Sequence, residues 1–335
     1  MSSSLAARQL ERFNQQIDLL KNVYQVSEEA PHVYILTPEN PKISALNNRP
    51  VPLSLFAITH GNETAGLGIL NDFLYQLISR PELLEFPLGI ALGNPEAALA
   101  GKRYLDRDLN RSFGFSDRSL KEPARTEVLE SLLKKSWYFI DFHQTRKKNT
   151  EPFFIFPYNK KSYEFARTLA PEIPLVTHWS GGFSKEGSCS DEFHNKNGGV
   201  GITIETGQNG LDPYQTGYGF FIILRALEVL RNESGLSHPQ AGKAPVKSRG
   251  PVYTWAATKV CHPDDKALLD EGWYNFRDVS KGEKMGHSKT GDINAEASGK
   301  VLFPKYPDPD VIAPAGPSEL YRIIKEISET ELPSD

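Results

Sequence analysis

The chain has 335 residues, 39% of them hydrophobic and 24% charged, which suits a globular protein of one large domain or of a large and a small one. Lys and Arg number 38 against 42 Asp and Glu, a formal net charge of −4, so there is no basic footprint for nucleic acid. No stretch approaches about 18 consecutive apolar residues, which excludes a helical membrane span; the two cysteines, Cys189 and Cys261, argue against a disulfide framework and a thiolate metal site.

The first 21 residues are polar throughout and lack the apolar core of a signal peptide. Leu5, Leu10, Phe13, Ile17 and Leu20 recur at helical spacing and predict an amphipathic helix packed on the domain. A cytoplasmic protein is the expectation, and the sequons at Asn62 and Asn232 then read as chance matches. An apolar run over 51–58 ends at Thr59-His60-Gly61, and Leu67, Leu70, Phe73, Leu74, Leu77 and Ile78 follow at helical spacing: strand, tight turn, helix. Further apolar runs fall at 88–92, 137–142, 153–156 and 200–204, with helical stretches at 122–135, 160–170 and 214–231. Such alternation indicates an α/β sheet covered by helices on both faces. Gly, Pro, Ser and Lys then dominate a linker at 236–250, and short strand-like pieces at 252–257 and 301–303 predict a small β-rich domain over 251–335, closed by a short helix at 318–327. Residues 1–235 form the larger unit.

Three clusters carry chemistry. His60-Gly61-Asn62-Glu63 sets an imidazole and a carboxylate three residues apart at a strand-to-helix turn, and a second strand ends in Ile140-Asp141-Phe142-His143. Sites in open α/β sheets gather at the carboxyl ends of strands, and two imidazoles with one carboxylate are a common catalytic zinc set. Asp141 shares a strand face with His143 and is suited to hold its tautomer. A lone His at a strand end is more often a structural group; the pair of strand ends is what raises these above it. The second cluster runs Gly93-Asn94-Pro95, Gly101-Lys102-Arg103-Tyr104 and Asp108-Leu109-Asn110-Arg111, with arginines suited to binding carboxylates. The third is Ile204-Glu205-Thr206-Gly207, where an ionisable group closes an apolar strand, costly unless paired or used in proton transfer.

In this order the clusters resemble the succinylglutamate desuccinylase and aspartoacylase family, relatives of the zinc carboxypeptidases. The likeness continues thinly at Asn275-Phe276, Lys281-Gly282 and Leu302-Phe303-Pro304. The resemblance implies a zinc-carboxypeptidase-like mixed sheet with a β-rich C-terminal domain, and one Zn2+ per chain held by His60, Glu63 and His143. It implies that Glu205 takes the proton of the attacking water and returns it to the departing amine, that Arg103 polarises the scissile carbonyl, and that Asn110 and Arg111 grip a substrate carboxylate. Aspartoacylases carry a further carboxylate-binding arginine upstream of the catalytic Glu. The comparable stretch here, Asp191-Glu192-Phe193-His194-Asn195-Lys196-Asn197, has none, and Lys196, His194 and Arg146 are the candidate replacements.

The leading reading is hydrolysis of a small anionic N-acyl amino acid, N-succinyl or a similar dicarboxylic species, with no nucleic-acid or membrane partner. A carboxypeptidase-like enzyme acting on short peptides is the alternative. A non-catalytic metal-binding module is a third, and Glu205 beside the ligand set argues against it, because a binder needs no proton-transfer group.

Overall fold

The protein is described from a computed structural model, over residues 4–149, 151–179, 187–236, 249–306 and 316–334. Helix α1 (Leu5–Leu20) starts where the Ser4 hydroxyl accepts from Ala7 N, and it buries Leu10, Phe13, Ile17 and Leu20. An antiparallel pair follows, β1 (Gln25–Ala30) and β2 (Val33–Thr37). The core then builds from β3 (Val51–Ala57), α2 (Ala65–Ser79), β4 (Leu88–Leu92), α3 (Pro95–Leu99), α4 (Lys121–Lys135) and β5 (Ser136–Thr145). It continues through β6 (Phe153–Pro157), α5 (Lys160–Leu169), β7 (Leu175–His178), α6 (Ser190–Lys196), β8 (Val200–Gln208) and α7 (Pro213–Glu233).

Strands β4, β3, β5 and β8 run parallel at the centre of the sheet and are buried on both faces, hence their near-continuous apolar sequence. Alternate residues divide between two apolar layers. Leu53, Leu55, Ile140, Phe142, Ile202 and Ile204 face α1, α2 and α7, whereas Phe56 and Phe139 pack with Leu129, Leu132 and Phe193 of α4 and α6.

The C-terminal strands are β9 (Val252–Cys261), β10 (Leu268–Leu269), β11 (Asp278–Val279), β12 (Lys284–Ser288), β13 (Gly291–Asn294), β14 (Gly299–Leu302) and β15 (Ser318–Ile327). Four of them extend the same sheet, whose order is β1-β2-β4-β3-β5-β8-β6-β7-β9-β15-β14-β11, while β10, β12 and β13 form a separate small sheet. The join is narrow: β7 meets β9 only at Leu175↔Val252 and Val176↔Tyr253. Of the linker expected at 236–250, residues 237–248 lie outside the described residues.

The helix expected at 318–327 is instead a ten-residue strand, β15, paired along β9. Leu320, Ile323, Ile324 and Ile327 fall at helical spacing, but Tyr321 is also fully buried, and β-branched and aromatic side chains pack better on a pleated surface.

Candidate metal centre and active site

His60 stands just past the end of β3 and His143 near the end of β5, neighbouring strands whose register pairs Ala57 with Phe142. The chain turns sharply between β3 and His60, with Ile58 at φ 47°, a conformation that costs a β-branched residue energy and is found mainly where a site needs it. Gly61 has no room for a side chain: a Cβ would lie 2.4 Å from Ala98 N and 2.6 Å from Lys102 O. That close approach lets Gly61 N donate to Arg103 O (2.9 Å), which ties the Arg103 loop to the ligand turn.

Glu63, one residue before the Thr64 N-cap of α2, is the hub. Its Oε1 lies 2.8 Å from His60 Nδ1 and its Oε2 lies 2.8 Å from His143 Nδ1. Gln144 N also donates to Oε2 (3.0 Å). The far nitrogen of each ring faces another carboxylate: Asp108 Oδ1 is 3.0 Å from His60 Nε2, and Asp141 Oδ2 is 3.0 Å from His143 Nε2. Asp141 is fully buried and accepts from the hydroxyls of Thr59 (2.9 Å) and Ser190 (2.6 Å). Burial pushes the Glu63 carboxyl up, but the two imidazoles outweigh it and hold it well below the usual range. Burial acts the same way on Asp108 and Asp141, where His60 and His143 respectively reverse it.

This arrangement suits a divalent cation. His60 Nδ1 is buried without a hydrogen bond among the described residues, and His60, Glu63 and His143 each offer a donor atom within 4.8 Å of the others. A carboxylate behind each ligating imidazole is the usual support of such a centre. Arg103 adds a constraint, because its Nη2 stands 2.7 Å from His60 Nε2. A guanidinium only donates, so the two neighbours of Nε2 call for opposite tautomers: Nε2 accepts from Arg103, or Nε2–H points to Asp108 and Nδ1 carries the lone pair. Only the second leaves Nδ1 free for a cation, and Asp108 favours it while Arg103 opposes it. Asp108 lay inside a motif singled out in the sequence but had no role there, since 48 residues separate it from His60.

A cavity of about 710 Å³ opens onto these groups. Glu205, on β8 beside His143 in register, lines it; burial and the nearby Glu63 push its carboxyl up to about 8, and its Oε2 has no hydrogen-bond partner among the described residues. Arg103 also lines it, with Nη1 on Glu63 Oε1 at 2.9 Å. Asn110 and Arg111 are brought to the same cavity; Asn110 Oδ1 accepts from Ser190 N (2.9 Å), and Arg111 Nη1 reaches Cys189 Sγ (3.2 Å). Of the candidate replacement cations, Arg146 lines the cavity. Lys196 pairs with Glu192 on the surface (2.8 Å), and His194 is buried against Trp137 O (2.9 Å). Sequence reasoning missed Lys305, which reaches the cavity from the C-terminal part. It also gave no role to Asn275, whose side chain clasps the loop after β5 through Lys147 O (3.0 Å) and Asn149 Oδ1 (2.9 Å). Two further residues at positive φ, Phe276 and Phe303, pack on Phe153 close by.

Residues 52–216 match the family model described as the succinylglutamate desuccinylase/aspartoacylase catalytic domain. A succinylglutamate desuccinylase of Yersinia pestis (strain Pestoides F) is 26% identical over 275 residues, covering 73% of this chain and 77% of that one. One from Serratia proteamaculans (strain 568) is 32% identical over 170 residues, 46% of this chain and 50% of its own. The fold is shared with the crystal structure of a succinylglutamate desuccinylase from Vibrio parahaemolyticus, with a TM-score of 0.67 at 18% identity over 93% of this chain and 95% of that one. With its central region matched by sequence and nearly its whole length by fold, the chain belongs to the succinylglutamate desuccinylase/aspartoacylase family of deacylating hydrolases.

Proposed function

We propose that this protein is a zinc-dependent amidohydrolase that cleaves an N-acyl amino acid into a carboxylic acid and a free amino acid. The observation that carries the reading is a buried Glu205, whose Oε2 has no hydrogen-bond partner among the described residues, in the cavity that holds His60, Glu63 and His143. Those three residues are the ligands; Asp141 favours the tautomer of His143 that offers Nδ1, and Asp108 favours the same tautomer of His60. Zinc, when bound, supplies the positive charge that polarises the scissile carbonyl and acidifies the attacking water. Cobalt or manganese also suits two imidazoles and a carboxylate.

The chain's own groups do the rest. Glu205 takes the proton of the attacking water and delivers it to the departing amine nitrogen, a transfer that needs an unpaired carboxyl within reach of both atoms. Arg103, tethered at its backbone by Gly61, meets the negative charge that develops on the carbonyl oxygen. Arg111 and Asn110 grip the substrate carboxylate and hold the amide in line with the attacking water.

The walls of the cavity favour small substrates over peptides. Phe303, Lys305, Tyr306, Glu319 and Leu320 of the C-terminal part line it together with the ligand residues. The deciding experiment couples a metal assay with turnover of N-succinyl-glutamate, N-acetyl-aspartate and a set of dipeptides. Zinc-loaded protein that cleaves nothing in a broad N-acyl panel sinks the reading, and cleavage of dipeptides alone favours the peptidase. We further assign the enzyme to the cytoplasm, and divide the chain into the 1–235 and 251–335 units.

A further inference from the structure

Arg103 and Asp108 come from one loop and meet at one atom. Arg103 Nη2 stands 2.7 Å from His60 Nε2 and Asp108 Oδ1 stands 3.0 Å from it, so the path of the loop sets how hard the cation and the acid each press on that nitrogen. Between them, three successive backbone N–H groups converge on one side chain. Leu105 N donates to Glu122 Oε1 (2.6 Å), and Asp106 N and Arg107 N donate to its Oε2 (3.0 Å each). Asn94 Nδ2 gives Oε1 a second donor (3.0 Å). Glu122 lies in the first turn of α4, is 1% exposed and does not line the cavity. The same turn holds the loop from its other side, since Asp106 Oδ2 accepts from Lys121 N (3.0 Å). Arg125 donates to Leu92 O (2.8 Å) and Gly93 O (3.1 Å), and Asn94 N donates to Ile58 O (2.9 Å), which ties α4 to the turn before His60 as well.

A buried carboxylate is costly unless its oxygens are bonded, and here each oxygen takes two donors. Convergent backbone amides are a fitting cradle for a fixed negative charge. A glutamine of the same size does not suit it: whichever way the amide turns, its NH2 faces two N–H groups. We propose that Glu122 is a positioning residue for the reaction, gathering the amides of residues 105–107 and so holding Arg103 toward the scissile carbonyl and Asp108 behind His60. This rests on the roles proposed above for Arg103 and Asp108.

The test compares full-length Glu122→Gln with Glu130→Gln. Glu130, also buried on α4, accepts from Gly114 N (2.8 Å) and Arg118 Nη2 (3.0 Å), and so ties the same helix to a stretch that holds no proposed site residue. Were lost stability the whole effect, the two would act alike. Instead, Glu122→Gln should lower kcat at saturating zinc at least about tenfold, with the best substrate of the N-acyl panel. It should also weaken zinc binding by the metal-free protein about tenfold, read by competition with a chelating dye. Glu130→Gln should lower the melting temperature and leave both near the parent values. In an Arg103→Ala background Glu122→Gln should cost little further kcat, and in an Asp108→Asn background little further zinc affinity, because it acts through those two residues. Glu122→Asp, which keeps the charge, takes its place with the same expectations if the glutamine protein does not fold. The proposal is overturned if the Glu122 variant keeps the parent kcat and zinc affinity, if Glu130→Gln matches its losses, if the losses are undiminished in both backgrounds, or if neither Glu122 variant folds. A parent that binds zinc and cleaves nothing removes the deacylase reading and leaves the zinc measurement to decide; a parent that does neither removes both.

Discussion

At the scale of single residues, the centre is built from acids that serve other residues. Asp108 and Asp141 each stand 3.0 Å from the outer nitrogen of a proposed ligand histidine, so their charge acts through the imidazole. Asp108→Asn should weaken metal affinity about 10- to 100-fold, read by competition with a chelating dye. Glu205→Gln removes the proposed proton acceptor and leaves His60, Glu63 and His143 alone. It should lower kcat at least about 100-fold with metal content unchanged, and unaltered turnover would refute the assignment. His194 gives a pH signature away from the site. Burial depresses its pKa from 6.5 to about 4, so between those values the unfolded chain binds more protons than the folded one and stability is lost as the pH is lowered. Asp191, held up near 7, acts in the opposite sense, so the wild type alone does not isolate His194. Against His194→Gln, which keeps a donor for Trp137 O, the wild type should lose about 2 kcal/mol between pH 7 and 5, measured by urea denaturation. Residue types and spacing made His60, Glu63, His143, Asp141 and Glu205 legible in the sequence, because strand ends and the two-residue repeat fix where they point. Asp108, Lys305 and Asn275 were not, since their partners are set by loop paths that no local pattern encodes.

At the scale of elements, the parallel core strands and the helices α1, α2, α4, α5 and α7 were readable from apolar periodicity. The edge pair β1 and β2 was not: β1, mostly exposed as QVSEEA, offers no alternation to read. The strand β15 was misread because its apolar spacing serves a helix equally well, and only pairing with β9 decides. The loops between elements carry the tension of the site, with Ile58, Phe276 and Phe303 all at positive φ. Asn275 holds one of these segments to the loop after β5, and its Oδ1 accepts from Phe303 N (2.7 Å). Asn275→Ala should therefore loosen the cavity wall and raise KM more than it lowers kcat, in steady-state kinetics with the best substrate of the panel.

At the scale of the whole molecule, the two proposed units share one sheet through a join of two residue pairs. Tyr253 and Ile324 of the later strands pack with Phe153 and Val176 of the earlier ones, so the later part is also a cover for apolar surface. A chain ending at residue 236 should lose cooperative unfolding and aggregate, since it bares the edge of β7 together with that surface. Soluble, cooperatively melting truncated protein would show the first unit to be self-sufficient. The composition shift near residue 240 was visible in the sequence, but not that the strands beyond it rejoin the sheet, because long-range pairing leaves no local trace.

The C-terminal residues that share the cavity with the candidate ligands also bear on what is left alone. Amide bonds are the commonest linkage in any cell, and a centre able to hydrolyse one is a hazard to every polypeptide around it. On the proposed reading, a recess of about 710 Å³ lined by Phe303, Tyr306 and Leu320 would admit a metabolite and turn away a folded chain. Restraint would then be built in as shape.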